Sequence, residues 1–279
     1  MTESFRTIVA KYRFVFFDAY GVLKNFSGII DGVPEVISRL KEEGKELFVV
    51  TNDASRSPEK MSDSYGSNGT PMIPPERFIS SGMIAHDYLV SQVPYGKIAY
   101  LGKPDSAHYI EMAGFQPIPM SECTSNDKIV AIALMDDEGF DWFKDINAAL
   151  NMIRRTNVPV IVANADMTYP MRGNNVALAI GSLGDLLSRI TEKTFIRFGK
   201  PDTMMFAYAF TAATKVDPNV KKSDILFVGD TLRTDILGAS QFGLDTVLVL
   251  SGNTLPENAE LMIRTTGIRP THICESIAT

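Results

Sequence analysis

The stretch that decides the fold of this chain is R-F-V-F-F-D-A-Y-G-V-L, residues 13–23. After Arg13, the next four residues form a short apolar run that ends at Asp18. Because both faces of that run are apolar, we predict a strand buried in a parallel sheet. Ligands of open α/β sheets bind beyond the carboxyl ends of the strands, so Asp18 is a candidate site residue.

The chain on either side of its middle third alternates strands and helices, as a parallel sheet with crossover helices requires. Besides residues 13–17, the predicted strands are 46–50, 195–198, 225–228 and 245–250, and the predicted helices are 33–43, 58–65, 203–214 and 234–242.

Residues 83–193 interrupt this pattern with an α/β alternation of their own. The predicted strands there are 97–101, 128–134 and 159–163, and the predicted helices are 106–113, 142–155 and 184–193. At about 150 residues per domain, the 279 residues suffice for two domains. We therefore predict an α/β fold, in which a Rossmann-like three-layer core with a parallel sheet (residues 1–82 and 194–279) carries an inserted α/β domain (residues 83–193).

Composition and charge exclude several classes of partner. Lys and Arg minus Asp and Glu gives 27 − 33 = −6 without a basic run, which is a poor match for nucleic acid. No apolar run approaches a membrane span, and the N-terminus lacks the apolar core of a signal peptide. The two cysteines, Cys123 and Cys274, form no zinc motif or disulfide framework. We expect a cytoplasmic protein without a nucleic-acid or membrane partner.

Polar residues follow four of the predicted core strands. They are Asp18, then Thr51 and Asn52, then Lys200, and last Asp230 with Asp235. If these strands lie side by side, the side chains converge on one spot beyond the sheet. Carboxylates beside one lysine suit Mg²⁺ together with a phosphate, because the cation prefers oxygen ligands and the lysine attracts the anion.

The order of these residues resembles the four motifs of the haloacid dehalogenase (HAD) superfamily, which consists mostly of phosphatases. The matching segments are F-D-A-Y-G-V-L (17–23), F-V-V-T-N (48–52), F-G-K-P (198–201) and G-D-T-L-R-T-D (229–235). About 149 residues separate Thr51 from Lys200, which leaves room for a large cap at the position typical of the class IIA branch. That branch includes sugar-phosphate, nucleotide, nitrophenyl phosphate and pyridoxal phosphate phosphatases. Asn164-Ala165-Asp166 resembles the N-x-D that the branch carries late in its cap.

The resemblance implies catalytic roles for the first three motifs. Asp18 would be the nucleophile that forms an aspartyl-phosphate, which splits hydrolysis into two easier displacements. Thr51 would donate a hydrogen bond to a phosphoryl oxygen, and Lys200 would offset the charge of Asp18 and the phosphate. The backbone N–H groups of Ala19, Tyr20 and Asn52 would complete the phosphate cradle.

The resemblance also implies a magnesium site. Mg²⁺ would be held by the carboxylates of Asp18 and Asp230 and by the backbone carbonyl of Tyr20. Asp235 would complete the metal shell directly or through water.

Tyr20 departs from the family pattern, because the phosphatases place a second Asp there as general acid and base. A tyrosine with a pKa near 10 is a poor base at neutral pH, so alkyl phosphates should be hydrolysed slowly. Acyl phosphates and nitrophenyl phosphate, whose leaving groups need no proton, should be affected least. The F-D-A-Y-G string also resembles the metal-free 2-haloacid dehalogenases, but those lack the pair Asp230 and Asp235. A weakly active relative that binds phosphorylated ligands for regulation is the other alternative.

The expected substrate is a small phosphorylated, sugar-phosphate-like metabolite that the cap recognises. Asp53 and Arg56, after the second motif, are candidates to face it. Asp166 and Arg172 lie in a stretch of the cap that is predicted to be a loop, where specificity residues are common. The caps of this branch often help to form dimers, so a homodimer is a further expectation.

Overall fold

A computed structural model describes residues 3–67, 70–171 and 175–279 of the chain. In this part of the chain the helices are α1 (Phe5–Val9), α2 (Val33–Glu42), α3 (Pro58–Ser64), α4 (Ser81–Gln92), α5 (His108–Met112), α6 (Lys144–Arg155), α7 (Ile180–Thr191), α8 (Thr203–Val216), α9 (Leu237–Phe242) and α10 (Pro256–Thr266). The strands are β1 (Phe14–Phe17), β2 (Lys24–Asn25), β3 (Gly28–Ile29), β4 (Glu46–Thr51), β5 (Gly66–Ser67), β6 (Thr70–Pro71), β7 (Phe78–Ser80), β8 (Lys97–Leu101), β9 (Gln116–Pro119), β10 (Ile129–Leu134), β11 (Val160–Val162), β12 (Thr168–Pro170), β13 (Val176–Leu178), β14 (Ile196–Arg197), β15 (Ile225–Gly229), β16 (Asp245–Val249) and β17 (His272–Cys274).

The larger sheet is parallel throughout, in the order β17-β16-β15-β1-β4-β7. From β1 the chain first builds outward through β4 to β7, and it later builds in the other direction from β15 to β17. The strand order therefore reverses between β1 and β15, and such a switch point is where open α/β sheets bind ligands.

Helices cover both faces of this sheet. On one face Phe16 of β1 packs in the same apolar cluster as Phe206 of α8. On the other face Phe17 packs in a second cluster with Ile37 of α2. Side chains of a strand alternate between faces, so β1 needs apolar residues at every position, and all four of its residues are buried. The predicted α/β class and the three-layer core are confirmed.

A second parallel sheet, in the order β14-β11-β10-β8-β9, lies in the middle of the chain. Ala149 of α6 and Leu183 of α7 pack on one of its faces. Ile98 of β8 belongs to the same apolar cluster as Phe16 of the larger sheet. The hydrophobic core is thus continuous from one sheet to the other, which holds the second sheet over the first.

The structure changes two sequence expectations about these elements. The sequence predicts that the strand at 195–198 belongs to the larger sheet, but β14 pairs with β11 and extends the second sheet beyond the expected boundary at residue 194. The predicted loop holds for Asp166, which lies in irregular structure between β11 and β12, but the residues that follow it form an antiparallel hairpin of β12 and β13. Both elements are very short, so hydrophobic periodicity carries little signal for them. No helix of the described residues is long and apolar enough to cross a bilayer.

Candidate active site

The site lies at the carboxyl edge of the larger sheet, and strand register positions its residues. Phe17 of β1 is paired with Val228 of β15 on one side and with Val49 of β4 on the other. The Asp18 amide extends the ladder by donating to the carbonyl of Val228 at 2.8 Å. The residues that follow these three strands therefore reach the same edge of the sheet.

Lys200 joins two of the acidic residues at this edge. Its Nζ donates to Asp18 Oδ1 at 2.5 Å and to Asp235 Oδ1 at 2.7 Å. The lysine is 2% exposed, and the two carboxylates are buried as well. One ammonium group therefore bridges the carboxylates that follow β1 and β15.

Lys200 enters the site from the end of the second sheet, and Asn52 holds it there. The Asn52 side chain accepts from the Lys200 amide at 2.7 Å and donates to the Lys200 carbonyl at 3.1 Å. The same amide group donates to Asp166 Oδ1 at 2.8 Å. A Cβ on Gly199 would lie 2.7 Å from Asn52 Oδ1, and the residue has φ +120°, so this approach requires glycine. Asn52 thereby ties the lysine and Asp166 to the end of β4.

Asp230 and Asp235 are held by backbone and side-chain donors. A π-helical turn, Leu232–Ile236, brings Asp235 back so that its Oδ2 accepts from the amides of Asp230 and Thr231. Asp230 Oδ2 accepts from the Asn253 amide at 2.7 Å. Asp235 receives three hydrogen bonds, including one from Lys200, whereas Asp230 receives two. The geometry of Asp235 therefore favours a positioning role over a direct metal bond.

The buried carboxylates in this cluster outnumber the ammonium group of Lys200. Burial raises the pKa of Asp18, the carboxylates of Asp235 and Asp230 raise it further, and Lys200 opposes them. Burial also raises the pKa of Asp230 to about 7. For Lys200, burial lowers the pKa, but the carboxylates of Asp18 and Asp235 outweigh it and the net shift is upward. If all three buried carboxylates are ionised, they exceed the one ammonium by two negative charges, and a bound cation would favour that ionised state.

The carboxylates fit a hard divalent cation. Oxygen atoms of Asp18, Asp230 and Asp235 lie within 4.8 Å of one another. Opposite ligands of an octahedral Mg²⁺ with bonds of ~2.1 Å are about 4.2 Å apart. A Cβ on Gly252 would lie 1.8 Å from Asp230 Oδ2. The backbone of Gly252 therefore lies close to that carboxylate, and any side chain at this position would collide with it. The donor set contains oxygen atoms only, which is the chemistry of a site for a hard divalent cation such as Mg²⁺, Ca²⁺ or Mn²⁺.

Tyr20 lies beside this cluster and contacts the β12–β13 hairpin. Its ring packs edge-on against Tyr169 of β12, with centroids 6.3 Å apart and an interplanar angle of 80°. Burial raises the pKa of Tyr20, and the nearby Arg56 guanidinium only partly lowers it. The phenol therefore stays protonated at neutral pH.

A cavity of about 540 Å³ connects the carboxylate cluster with the second sheet. The expected substrate-facing residues Asp53, Arg56 and Asp166 line it, and Arg56 Nη2 pairs with Asp53 Oδ2 at 2.7 Å. Arg172, the fourth such residue, lies outside the described residues. Ala19 is buried behind Asp18, and its carbonyl accepts from the amides of Leu23 and Lys24.

Sequence reasoning missed a group of cavity residues on the second sheet. Asp136, Asp137 and Glu138 follow β10, and Lys103 follows β8. The signal was present, since each follows an apolar strand just as Asp18 does. The role of the Asn52 side chain was also missed, because a contact to a residue 148 positions away leaves no local pattern.

Comparison with known proteins places the chain in a family. The profile of the haloacid dehalogenase-like hydrolases matches residues 15–116, and a second profile, HAD-hydrolase-like, matches residues 197–279.

Similar proteins support the same placement. The crystal structure of a possible sugar phosphatase of the HAD superfamily from Cytophaga hutchinsonii is 46% identical, with a TM-score of 0.95 over 100% of this chain and 99% of the other. Phosphoglycolate phosphatase 1A from Arabidopsis thaliana is 30% identical over 85% of this chain and 68% of its own length. Glycerol-3-phosphate phosphatase from Gallus gallus is 28% identical over 91% of this chain and 85% of its own length. The chain is thus a member of the haloacid dehalogenase-like hydrolase superfamily and belongs to its class IIA branch of phosphatases.

Proposed function

We propose that the protein is a Mg²⁺-dependent phosphatase that hydrolyses a small, sugar-phosphate-like metabolite through an aspartyl-phosphate intermediate. The observation that carries this proposal is the bridge from Lys200 to Asp18 and Asp235, beside Asp230, within a family of phosphatases. A nucleophilic carboxylate, a phosphate-binding ammonium and a cation site formed by carboxylates are the parts that phosphoryl transfer needs.

Asp18 supplies the nucleophile. Lys200 occupies its Oδ1, so we assign Oδ2 as the oxygen that attacks phosphorus while the bond from phosphorus to the ester oxygen breaks. Burial disfavours the ionised form of Asp18, and the Lys200 ammonium opposes that effect by direct contact. The same ammonium offsets the charge of the incoming phosphate.

Asp18 and Asp230, with the Tyr20 carbonyl, would hold the magnesium ion. Asp235 would complete its coordination shell through water. When bound, the cation offsets the like charges of the carboxylates and the phosphate and favours their approach. Thr51 Oγ1 accepts the Asp53 amide at 3.1 Å, which leaves its own proton to be donated to a phosphoryl oxygen. The N–H groups of Ala19, Tyr20 and Asn52 complete the proposed cradle.

Water then attacks the phosphorus of the aspartyl-phosphate, the bond to Asp18 breaks to regenerate the carboxylate, and the proton of the water leaves on the phosphate product. Tyr20 contributes little to either proton transfer, because burial raises the pKa of a phenol that is already a weak acid. Leaving groups that depart as stable anions are therefore favoured over alkoxides.

We propose that residues 83–193, extended by β14, act as the cap. This part of the chain supplies Asp166 and Tyr169 to the cavity. A volume of about 540 Å³ suits a small metabolite, and a wall from a second domain excludes water during reaction. Exposed apolar residues on β13 and α7, such as Leu178 and Leu186, support the homodimer expected for this branch, which light scattering can test.

The test is phosphate release from p-nitrophenyl phosphate and acetyl phosphate, with Mg²⁺ and with EDTA. We expect release that EDTA abolishes and that Asp18→Asn lacks, while the Asp18→Asn variant keeps its thermal unfolding profile. Absence of turnover of both substrates overturns the proposal. Tight phosphate-ester binding without turnover would indicate a regulatory relative. Halide release from a 2-haloacid in EDTA would indicate a dehalogenase.

A further inference from the structure

The carboxyl edge of the second sheet presents a charged set to the cavity that the proposed chemistry does not use. Asp136, Asp137 and Glu138 follow β10, and Lys103 follows the neighbouring strand β8. Because parallel strands end at the same edge, these residues lie together on the cavity wall that faces the rest of the substrate.

Asp136 is the member of this set whose hydrogen bonding is incomplete. Its side chain is 10% exposed, and its Oδ2 has no hydrogen-bond partner among the residues that the structure describes. The nearest cation, Lys103 Nζ, is 3.9 Å away and is engaged by Glu138. A buried carboxylate oxygen without a donor is costly, so such an atom in a cavity wall indicates a donor brought by a ligand.

The neighbours of Asp136 are already paired. The Tyr169 hydroxyl opposes the rise that burial causes in the pKa of Asp137, and the Tyr169 ring packs against Tyr20 beside the reaction site. Asp53 and Arg56 neutralise each other across a 2.7 Å contact. The acidic wall is thus coupled through aromatic side chains to the reacting end of the cavity, and Asp136 is the acceptor left for a ligand.

The charge of this wall limits what can bind there. Among the described residues at this edge of the sheet, Asp136, Asp137 and Glu138 carry three negative charges against the one positive charge of Lys103. A carboxylate brought to this place would meet like charges in a cavity of low dielectric constant, which costs several kcal/mol in protein interfaces. A hydroxyl or ammonium group would instead supply the missing donor.

We infer that Asp136 selects the leaving group by accepting a hydrogen bond from a hydroxyl or ammonium group. The preferred substrates are then phosphate monoesters of polyols or amino alcohols, and esters that carry a carboxylate at the far end bind more weakly. This inference rests on the proposed phosphatase function. It sets the chain apart from its relative that is named for phosphoglycolate.

Three esters of similar length test the inference, because they differ mainly in the far group. They are 2-hydroxyethyl phosphate, O-phosphoethanolamine and 2-phosphoglycolate, and each is measured as a competitive inhibitor of p-nitrophenyl phosphate hydrolysis. We expect the inhibition constant of phosphoglycolate to exceed those of the other two by at least about tenfold. The ratio between hydroxyethyl phosphate and phosphoethanolamine tells which donor is preferred.

The variant Asp136→Asn removes the charge and keeps the shape. We expect it to lower the inhibition constant of phosphoglycolate, to raise that of phosphoethanolamine, and so to reduce their ratio at least about tenfold. The matched control is Asp127→Asn, which makes the same charge change at the opposite end of β10, where Asp127 pairs with Lys97. The control should keep the wild-type order of the three inhibitors.

Equal inhibition by the three esters, or phosphoglycolate as the best inhibitor, overturns the inference. Unchanged ratios in a folded Asp136→Asn variant overturn it as well. Hydrolysis of p-nitrophenyl phosphate reports separately on the proposed function. If that hydrolysis is absent, the same order of affinities is read from the rise in melting temperature that each ester causes with Mg²⁺. If phosphoglycolate then raises the melting temperature as much as the other two esters do, the selective role of Asp136 is overturned.

Discussion

Replacing Tyr20 with aspartate should raise the rate at which the protein hydrolyses alkyl phosphates. The new carboxyl group would stand beside the reacting atoms, close to Asp18, where burial and neighbouring carboxylates favour its protonated form at neutral pH. A positioned general acid contributes about 10²–10⁴-fold, which is roughly 2.7–5.4 kcal/mol at ~1.36 kcal/mol per tenfold.

The substitution also has a structural cost. It removes the edge-on contact between the rings of Tyr20 and Tyr169, which is worth about 0.5–1.5 kcal/mol beyond area burial. That loss is small beside a typical stability of about 5–15 kcal/mol, so the variant should fold. We expect kcat/KM for 2-hydroxyethyl phosphate to rise at least about 100-fold, and kcat/KM for p-nitrophenyl phosphate to change much less.

Two matched variants separate acid catalysis from the loss of the ring. Tyr20→Asn gives a side chain of the same size as aspartate without the acid, and Tyr20→Phe removes only the hydroxyl. Neither should accelerate the alkyl phosphate. The reasoning is refuted if Tyr20→Asp and Tyr20→Asn behave alike, because another residue would then already supply the proton or chemistry would not limit the rate.

Three further expectations concern the residues around the nucleophile. Lys200→Met should abolish turnover and lower the free energy of unfolding, measured in urea, by about 3–5 kcal/mol, because the buried Asp18 carboxylate loses its partner. Asn52→Ala should lower kcat more than it raises KM and cost roughly 1–3 kcal/mol of stability, since the Asp166 carboxylate and the lysine backbone lose their donor and acceptor. An unchanged kcat would contradict that role. Burial raises the folded-state pKa of Asp230 to about 7, so metal-free protein should be less stable at pH 7.5 than at pH 5 in thermal unfolding, and Mg²⁺ should reduce the loss. A melting temperature that rises over this range without metal would contradict the shift.

The sign of the pH effect follows from proton binding. A carboxylate whose pKa is higher in the folded state than in the unfolded state stabilises the fold fully below the unfolded value of about 4. That contribution is lost as pH rises through about 7, where the buried Asp230 ionises. Asp230→Asn serves as the control, because its stability should vary less across this range and respond less to Mg²⁺.

The part of the site that follows core strands could be predicted from the chain alone. Apolar runs at 14–17 and 225–228 are strong strand signals, and parallel strands share one carboxyl edge, so Asp18 and Asp230 had to meet if the strands paired. Lys200 also reaches that edge, although its strand belongs to the other sheet. For Lys200, the family motif predicted the position of the residue correctly, but the predicted pairing of its strand with the larger sheet was wrong.

The contacts made over long sequence distances could not be predicted. The Asn52 side chain is hydrogen-bonded to the backbone of Lys200, 148 residues away, and this contact depends on how the two sheets are packed. The same packing brings Tyr169 against Tyr20 and faces Asp136 toward the cavity. Periodicity describes which side of a strand is apolar, but it carries no information about which elements of a second domain face the first.

The central claim is that Asp18 becomes phosphorylated during turnover, and acid-quenched mass spectrometry tests it most directly. Protein mixed with acetyl phosphate and Mg²⁺ is quenched in acid, digested and examined for the peptide that contains residues 13–24. The account predicts a phosphoryl group on Asp18, absent with EDTA and absent in Asp18→Asn. Phosphate release that persists in Asp18→Asn, or a phosphoryl group on another residue, would contradict it.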